Sequence, residues 1–244
     1  MCEFCKSFKC KIALSDFVKS CHACQSRKMT KVPTKSAIVA FPTPNGPFEV
    51  YEADIYGPLP PTMSGPYRYI LTVVDMFSKL LTAIPLANKG AMSVSSALFQ
   101  LCTTYGCFRV LISDFGSEFT AQVTREICKM LKVPQQFTPS YMHSCLGVCQ
   151  RLHEVIAKRL TPYIVQGKNW VDMLPAIVFS INSSVNSSIG YSPFEVVYGQ
   201  RPRFPLSNEL EGPDFKSLPS DMHSYFKGQT KKLERIRSEV REIA

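Results

Sequence analysis

Apolar and polar positions change period several times along the chain, and each change predicts an element. From Phe48 to Ile55 the two kinds mix as in a strand, and Gly57-Pro58 ends the run. Tyr67 to Asp75 is β-branched and aromatic and predicts a buried strand. Leu80 to Leu86 predicts a third, joined to the second by a short hairpin. Over 91–105, Val94, Leu98 and Leu101 recur at helical spacing, and Gly106 closes the helix. Phe108 to Ser113 predicts a short apolar strand, and 120–132 a helix that Pro134 ends. Gln136-Phe137-Thr138 predicts an edge strand, and helices follow over 148–166 and 170–186.

The order β-β-β-α-β-α-β-α-α implies an α/β (α+β) fold: one mixed five-stranded sheet with helices on its faces. In the last segment, Met222, Gln229, Leu233, Ile236, Val240 and Ile243 are spaced by threes, fours and sevens. That seam fits a dimer helix, and so a homo-oligomer, or a helix laid back on the core. Four zones result. Residues 1–36 are basic and Cys-rich, 37–47 are a linker containing Pro42 and Pro44, 48–204 are the core, and 205–244 are a linker and C-terminal helix.

The chain has 244 residues, 45% of them hydrophobic and 19% charged, a globular profile long enough for a substantial core. No apolar run reaches the ~18 residues of a membrane span, so no membrane partner is expected. No apolar stretch follows Met1 to Lys6, so a nuclear or cytoplasmic rather than secreted protein is expected. Net charge is +9, and the first 36 residues hold +6 of it. A basic arm carrying Arg27, Lys28 and Lys31 before a near-neutral body points to a polyanion partner, chiefly DNA. The bland alternative is a solubilising tail. Of ten cysteines, Cys2, Cys5, Cys10, Cys21 and Cys24 crowd the first 24 residues, which suggests a metal site or its remnant in a reducing compartment.

Two acids stand at strand ends. Asp54 precedes the Gly57-Pro58 break, and Asp114 follows the Phe108–Ser113 strand. If those strands are neighbours, both carboxylates face one point. Phosphoryl transfer on nucleic acid commonly uses two divalent ions about 4 Å apart, held by hard carboxylate oxygens. Alone, such a pair is a weak signal, because Asp in a turn is commonly a cap.

Five segments together resemble the integrase of gypsy-type LTR retrotransposons and domesticated genes derived from them. They are Ser20 to Gln25 with its Cys pair, Asp54 to Leu59, Val74 to Lys79, Ser113 to Phe119, and Gly190 to Gly199. The resemblance covers nearly the whole chain. It implies a ribonuclease H-like fold, a degenerate zinc-binding segment ahead of it, and magnesium-dependent DNA 3′-processing and strand transfer. It also implies that Asp54 and Asp114 are the first two metal-binding catalytic acids. The family's third acid is a Glu followed by Arg. With 35 residues between it and Asp114, Gln150, followed by Arg151, occupies that position. Glutamine keeps the shape but not the charge, so magnesium binding should be weakened or lost. Glu154, Glu118 and Glu52 are neighbouring acids that could substitute. Glu52 shares a strand face with Asp54, its plainer reading being a sheet-rim acid, and Asp75 reads as structural because it starts a turn.

The family holds zinc with this Cys pair and an upstream His-x3-His pair, which is absent before Cys21. The plain expectation is that the chain begins after that pair, by truncation or gene-model choice. A rival is a four-Cys site formed by Cys2, Cys5, Cys21 and Cys24, with 15 residues between the pairs. Trp170 reads as a core anchor. Arg151 and Lys158 read as DNA phosphate contacts, since the helix after Gln150 borders the family's DNA groove, and Arg159 as either a contact or a solvated residue. Cys145, Leu146 and Cys149 make the preceding loop apolar. The leading expectation is an integrase-like, nucleic-acid-binding protein with impaired chemistry. The rivals are an active integrase and a non-catalytic protein-interaction module built on 221–243.

Overall fold

The computed structural model describes residues 44–62, 65–114, 116–137, 147–204 and 222–243. All fall in one compact unit. Five strands form a mixed sheet: β1 (Val50–Tyr56), β2 (Tyr69–Asp75), β3 (Leu81–Leu86), β4 (Val110–Ser113) and β5 (Gln135–Phe137). Their spatial order is β3-β2-β1-β4-β5. The first three are antiparallel neighbours, and β4 and β5 run parallel to β1 and to each other. Residues 57–68 connect β1 to β2, and a short turn connects β2 to β3; the parallel strands β4 and β5 are reached through helices, as strand direction requires.

Side chains alternate across the central strands, so each face buries its own set. Leu71, Val73, Tyr51, Ala53 and Leu111 face α1 (Ala91–Tyr105), α2 (Ser117–Thr120) and α3 (Gln122–Met130). Ile70, Val74 and Leu81 face α4 (Gly147–Val165) and α5 (Trp170–Ser183). Trp170 is 2% exposed and its Nε1 donates to the Pro60 carbonyl at 3.0 Å, so it anchors α5 over the sheet. Asn182, also buried, accepts from Leu81 N at 2.9 Å and donates to Leu81 O at 2.8 Å, tying α5 to edge strand β3. The continuous helix expected over 120–132 is instead two pieces, because Ala121 adopts φ −59°, ψ 148° between them.

A short helix, α6 (Pro193–Tyr198), begins at a capping box. Ser192 and Glu195 each satisfy the other's backbone N–H, with Pro193 in the first turn. The last helix, α7 (Met222–Ile243), lies on this end of the core. Its Ile236 and Val240 are buried with Phe77, Ile189 and Val196. Arg237 donates to the carbonyls of Val196 and Val197, and Tyr191 donates to Glu239. The apolar seam that suggested a dimer helix is thus occupied within the chain at Ile236 and Val240. No helix among the described residues is long and apolar enough to cross a membrane.

Candidate active site

The parallel pairing of β1 with β4 matches Val50 to Val110, Tyr51 to Leu111 and Glu52 to Ile112. Continued two residues, the same register sets Asp54 level with Asp114, as the expected adjacency of their strands requires. Burial is the main force raising the Asp54 pKa to about 6, and the charges of Asp114 and Glu118 add to it. Asp54 Oδ1 accepts from Ile55 N at 2.8 Å. Asp114 Oδ1 accepts from Gly116 N at 3.0 Å. A Cβ at Gly116 would stand 2.9 Å from both Asp114 Oδ1 and the Glu118 carboxylate, so a larger residue there would displace those side chains.

On the facing helix, Gln150 lies in the first turn of α4 and is exposed. His153, one turn later, was not anticipated as a site residue. Its Nε2 lies 2.6 Å from Thr72 Oγ1, and its Nδ1 lies 3.8 Å from Asp54 Oδ2. The Thr72 hydroxyl already donates to the Asp54 carbonyl at 2.9 Å, so its one proton is committed. Nε2 must therefore carry the imidazole proton, and Nδ1 turns a bare lone pair toward the Asp54 carboxylate. Burial holds the His153 pKa down at about 4, so the ring is neutral at pH 7 and this contact is not an ion pair. A three-residue step from Gln150, one helical turn, was the available signal for His153.

Glu52 corrects an expectation. It is no rim acid: it lies in the central strand β1 and is 1% exposed. Its Oε1 accepts from Cys149 N at 2.9 Å, and the Cys149 thiol donates to the Glu52 carbonyl at 3.4 Å. Oε2 has no hydrogen-bond partner among the described residues, and burial raises the Glu52 pKa. Glu52 thus fastens the start of α4 to β1, two residues from Asp54. Cys149 correspondingly belongs to the buried helix–sheet interface rather than to a loop. Asp75 is structural, as expected. Its carboxylate accepts from Phe48 N at 2.9 Å and Ser78 N at 2.8 Å, closing the β2–β3 turn against the start of β1.

Glu154, Arg151 and Lys158 are exposed on α4. Arg159 instead donates to Ser180 Oγ at 2.6 Å, linking α4 to α5. Cys2, Cys5, Cys21, Cys24, Arg27, Lys28, Lys31, Cys145 and Leu146 lie outside the described residues.

Residues 44–143 match the sequence model of the integrase core domain. The chain carries an integrase core. It is 31% identical, over 165 residues and 67% of its length, to the retrovirus-related Pol polyprotein from transposon 412 of Drosophila melanogaster. It is 28% identical over 196 residues, 79% of its length, to the Pro-Pol polyprotein of simian foamy virus type 3. It spans 13% and 17% of those two polyproteins. The integrase core also superposes on the HTLV-2 integrase catalytic core domain, solved in complex with magnesium, with TM-score 0.51 and 16% identity. That match covers 62% of this chain and 96% of the other. A chain of the simian T-cell lymphotropic virus intasome gives TM-score 0.58 at 15% identity, covering 87% of this chain and 70% of that one. These likenesses establish the ribonuclease H-like fold.

Magnesium prefers several oxygen ligands in near-octahedral geometry. In this integrase core Asp54 and Asp114 lie level on adjacent strands, with an uncharged imidazole against Asp54. Among the described residues no group of three His, Cys, Asp or Glu could hold a metal ion. Asp54 and Asp114 are the carboxylates the sheet places to hold such an ion.

Proposed function

We propose that the chain is an integrase-like, nucleic-acid-binding protein derived from a gypsy-type retrotransposon, with its DNA-joining chemistry impaired. What supports this reading is the spacing, 35 residues after Asp114, that puts Gln150 where the resembled family has its Glu, together with the neutral His153 beside Asp54. A neutral amide cannot offset the repulsion between two divalent ions. Losing one organising carboxylate costs several kcal/mol of transition-state stabilisation, roughly a thousandfold in rate. Asp54 and Asp114 retain a weak affinity for magnesium, and 3′-processing and strand transfer fall correspondingly.

Nucleic-acid affinity survives because it rests on other residues. Arg27, Lys28 and Lys31 in the basic arm, with Arg151 and Lys158 on α4, contact backbone phosphates. Cys21 and Cys24, with Cys2 and Cys5, are the thiols available for zinc in the amino-terminal segment. The protein works in the nucleus or cytoplasm.

The test pairs two measurements on the full chain. Duplex DNA binding should weaken steeply as salt rises, since phosphate contacts release counterions. End-joining in magnesium should stay at background under the same conditions. Salt-insensitive or absent binding, or robust joining, contradicts the proposal.

A further inference from the structure

Beside the start of α4, on the side toward the β2–β3 turn, lies a cavity of about 620 Å³. The turn contributes Lys79, α4 contributes Val148 and Arg151, and the loop between α5 and α6 contributes Asn186, Ser187 and Ser188. Lys79 is held there by its backbone. It sits at φ 62°, and its N–H closes the turn on the Asp75 carbonyl at 2.9 Å. Its Nζ spends one proton on the Met76 carbonyl at 2.7 Å, leaving two donors. Among the described residues neither Lys79 nor Arg151 takes part in an ion pair. Burial chiefly lowers the Lys79 pKa. The nearby charges of Asp75 and Glu52 oppose that shift, and Arg151 adds to it. Both acids are themselves buried, and burial pushes each toward its neutral form. The cavity thus brings together two cations, with no anion in contact among the described residues, beside the Ser187 hydroxyl; the Ser188 hydroxyl donates to Asn186 Oδ1 at 2.7 Å.

We propose that this cavity seats a phosphodiester of a nucleic-acid backbone, held between Lys79 and Arg151. The inference rests on the proposed DNA binding and locates part of it. A polymer fits better than a free anion because the cationic track continues. Lys158 is seven residues beyond Arg151, on the same face of α4, and both are exposed. Two helical turns separate them by about 10 Å along the axis, which is about three base steps of a duplex lying along α4, at ~3.4 Å of axial rise for each phosphate of one strand.

The experiment measures duplex DNA binding by fluorescence anisotropy on the full chain over a range of potassium chloride concentrations. Lys79→Met keeps the aliphatic stem. Ser187→Glu, at an exposed loop position, puts a carboxylate against the two cations without disturbing the core. Lys129→Met, exposed on the opposite helical layer, controls for general loss of charge. Lys79→Met and Ser187→Glu should each weaken low-salt binding about 5- to 10-fold. Each should reduce the salt slope by about one, the share of a single phosphate, while Lys129→Met leaves the slope unchanged. Thermal melts with inorganic phosphate at matched ionic strength form the second arm. If the Lys79 and Ser187 variants keep the parent's steep slope, the seat is wrong while DNA binding stands. If, with that unchanged slope, phosphate stabilises the parent but not Lys79→Met, the cavity takes a free anion and not the polymer. A parent without salt dependence removes the underlying reading as well.

Discussion

Replacing Asp54 by Asn should stabilise the protein at neutral pH, although Asp54 belongs to the candidate active site. The carboxyl ionises near 3.8 in an unfolded chain and near 6 in the folded one. Well below pH 3.8 both states are protonated and the group's favourable contribution is fully present. As pH rises from about 4 to about 6, the unfolded state loses the proton while the folded state retains it, so stability falls. Above 6 the loss is complete. About two pH units correspond to about 3 kcal/mol. The side chain is 19% exposed, and solvent screening lowers the expected figure to about 2 kcal/mol. Asparagine removes that loss and adds a donor. Its Oδ1 can still accept from Ile55 N, and its amide N–H can point to the bare Nδ1 of His153. Urea unfolding of parent and Asp54→Asn at pH 3.5 and 7.5 reads the effect directly. The two should nearly coincide at pH 3.5, and the variant should lead by about 2 kcal/mol at pH 7.5. Equal stability at both pH values, or a variant less stable at pH 7.5, would refute the burial argument and the assignment of the imidazole proton.

Other consequences are as direct. Glu118→Gln should lower the Asp54 pKa, and by less than Asp114→Asn does, because the Asp114 charge acts on it more strongly; carboxyl NMR titration measures both. Ile236→Ala, in the buried seat of α7, should cost about 2–4 kcal/mol in chemical denaturation. It should leave the molar mass in light scattering unchanged, whereas a dimer seam would dissociate. Glu52→Ala should destabilise by about 2–4 kcal/mol, since it opens space under α4 and strands the Cys149 N–H. Glu52→Gln, which keeps an acceptor oxygen, should cost far less by the same denaturation assay.

The sheet and both candidate acids could be read from residue order because their signals are local. β-branched runs marked β1 to β4, and two strand-end aspartates became neighbours as soon as β4 paired parallel to β1. Helix α1 matched its expected span for the same reason: Val94, Leu98 and Leu101 repeat at helical period, and Gly106 follows. The break at Ala121 carried no glycine or proline to announce it. Helix α6 is too short for periodicity, yet Ser192, Pro193 and Glu195 spelled its capping box. Glu52 was misread because a charged residue in a strand suggests an edge. Its buried place depends on the distant N–H of Cys149, and no local pattern encodes that contact. The role of His153 likewise needs Thr72, 81 positions away in sequence, to fix its proton. The partner of the α7 seam is tertiary too: a heptad-like spacing is the same whether the apolar stripe meets another chain or Phe77 and Val196.

The account turns on whether a neutral side chain at position 150 disables the site formed with Asp54 and Asp114. A strand-transfer assay with magnesium, run on the parent and on Gln150→Glu at equal DNA occupancy, measures that most directly. The account predicts background joining by the parent and a rise of roughly a thousandfold for the variant. Robust joining by the parent, unchanged by the added carboxylate, would contradict it.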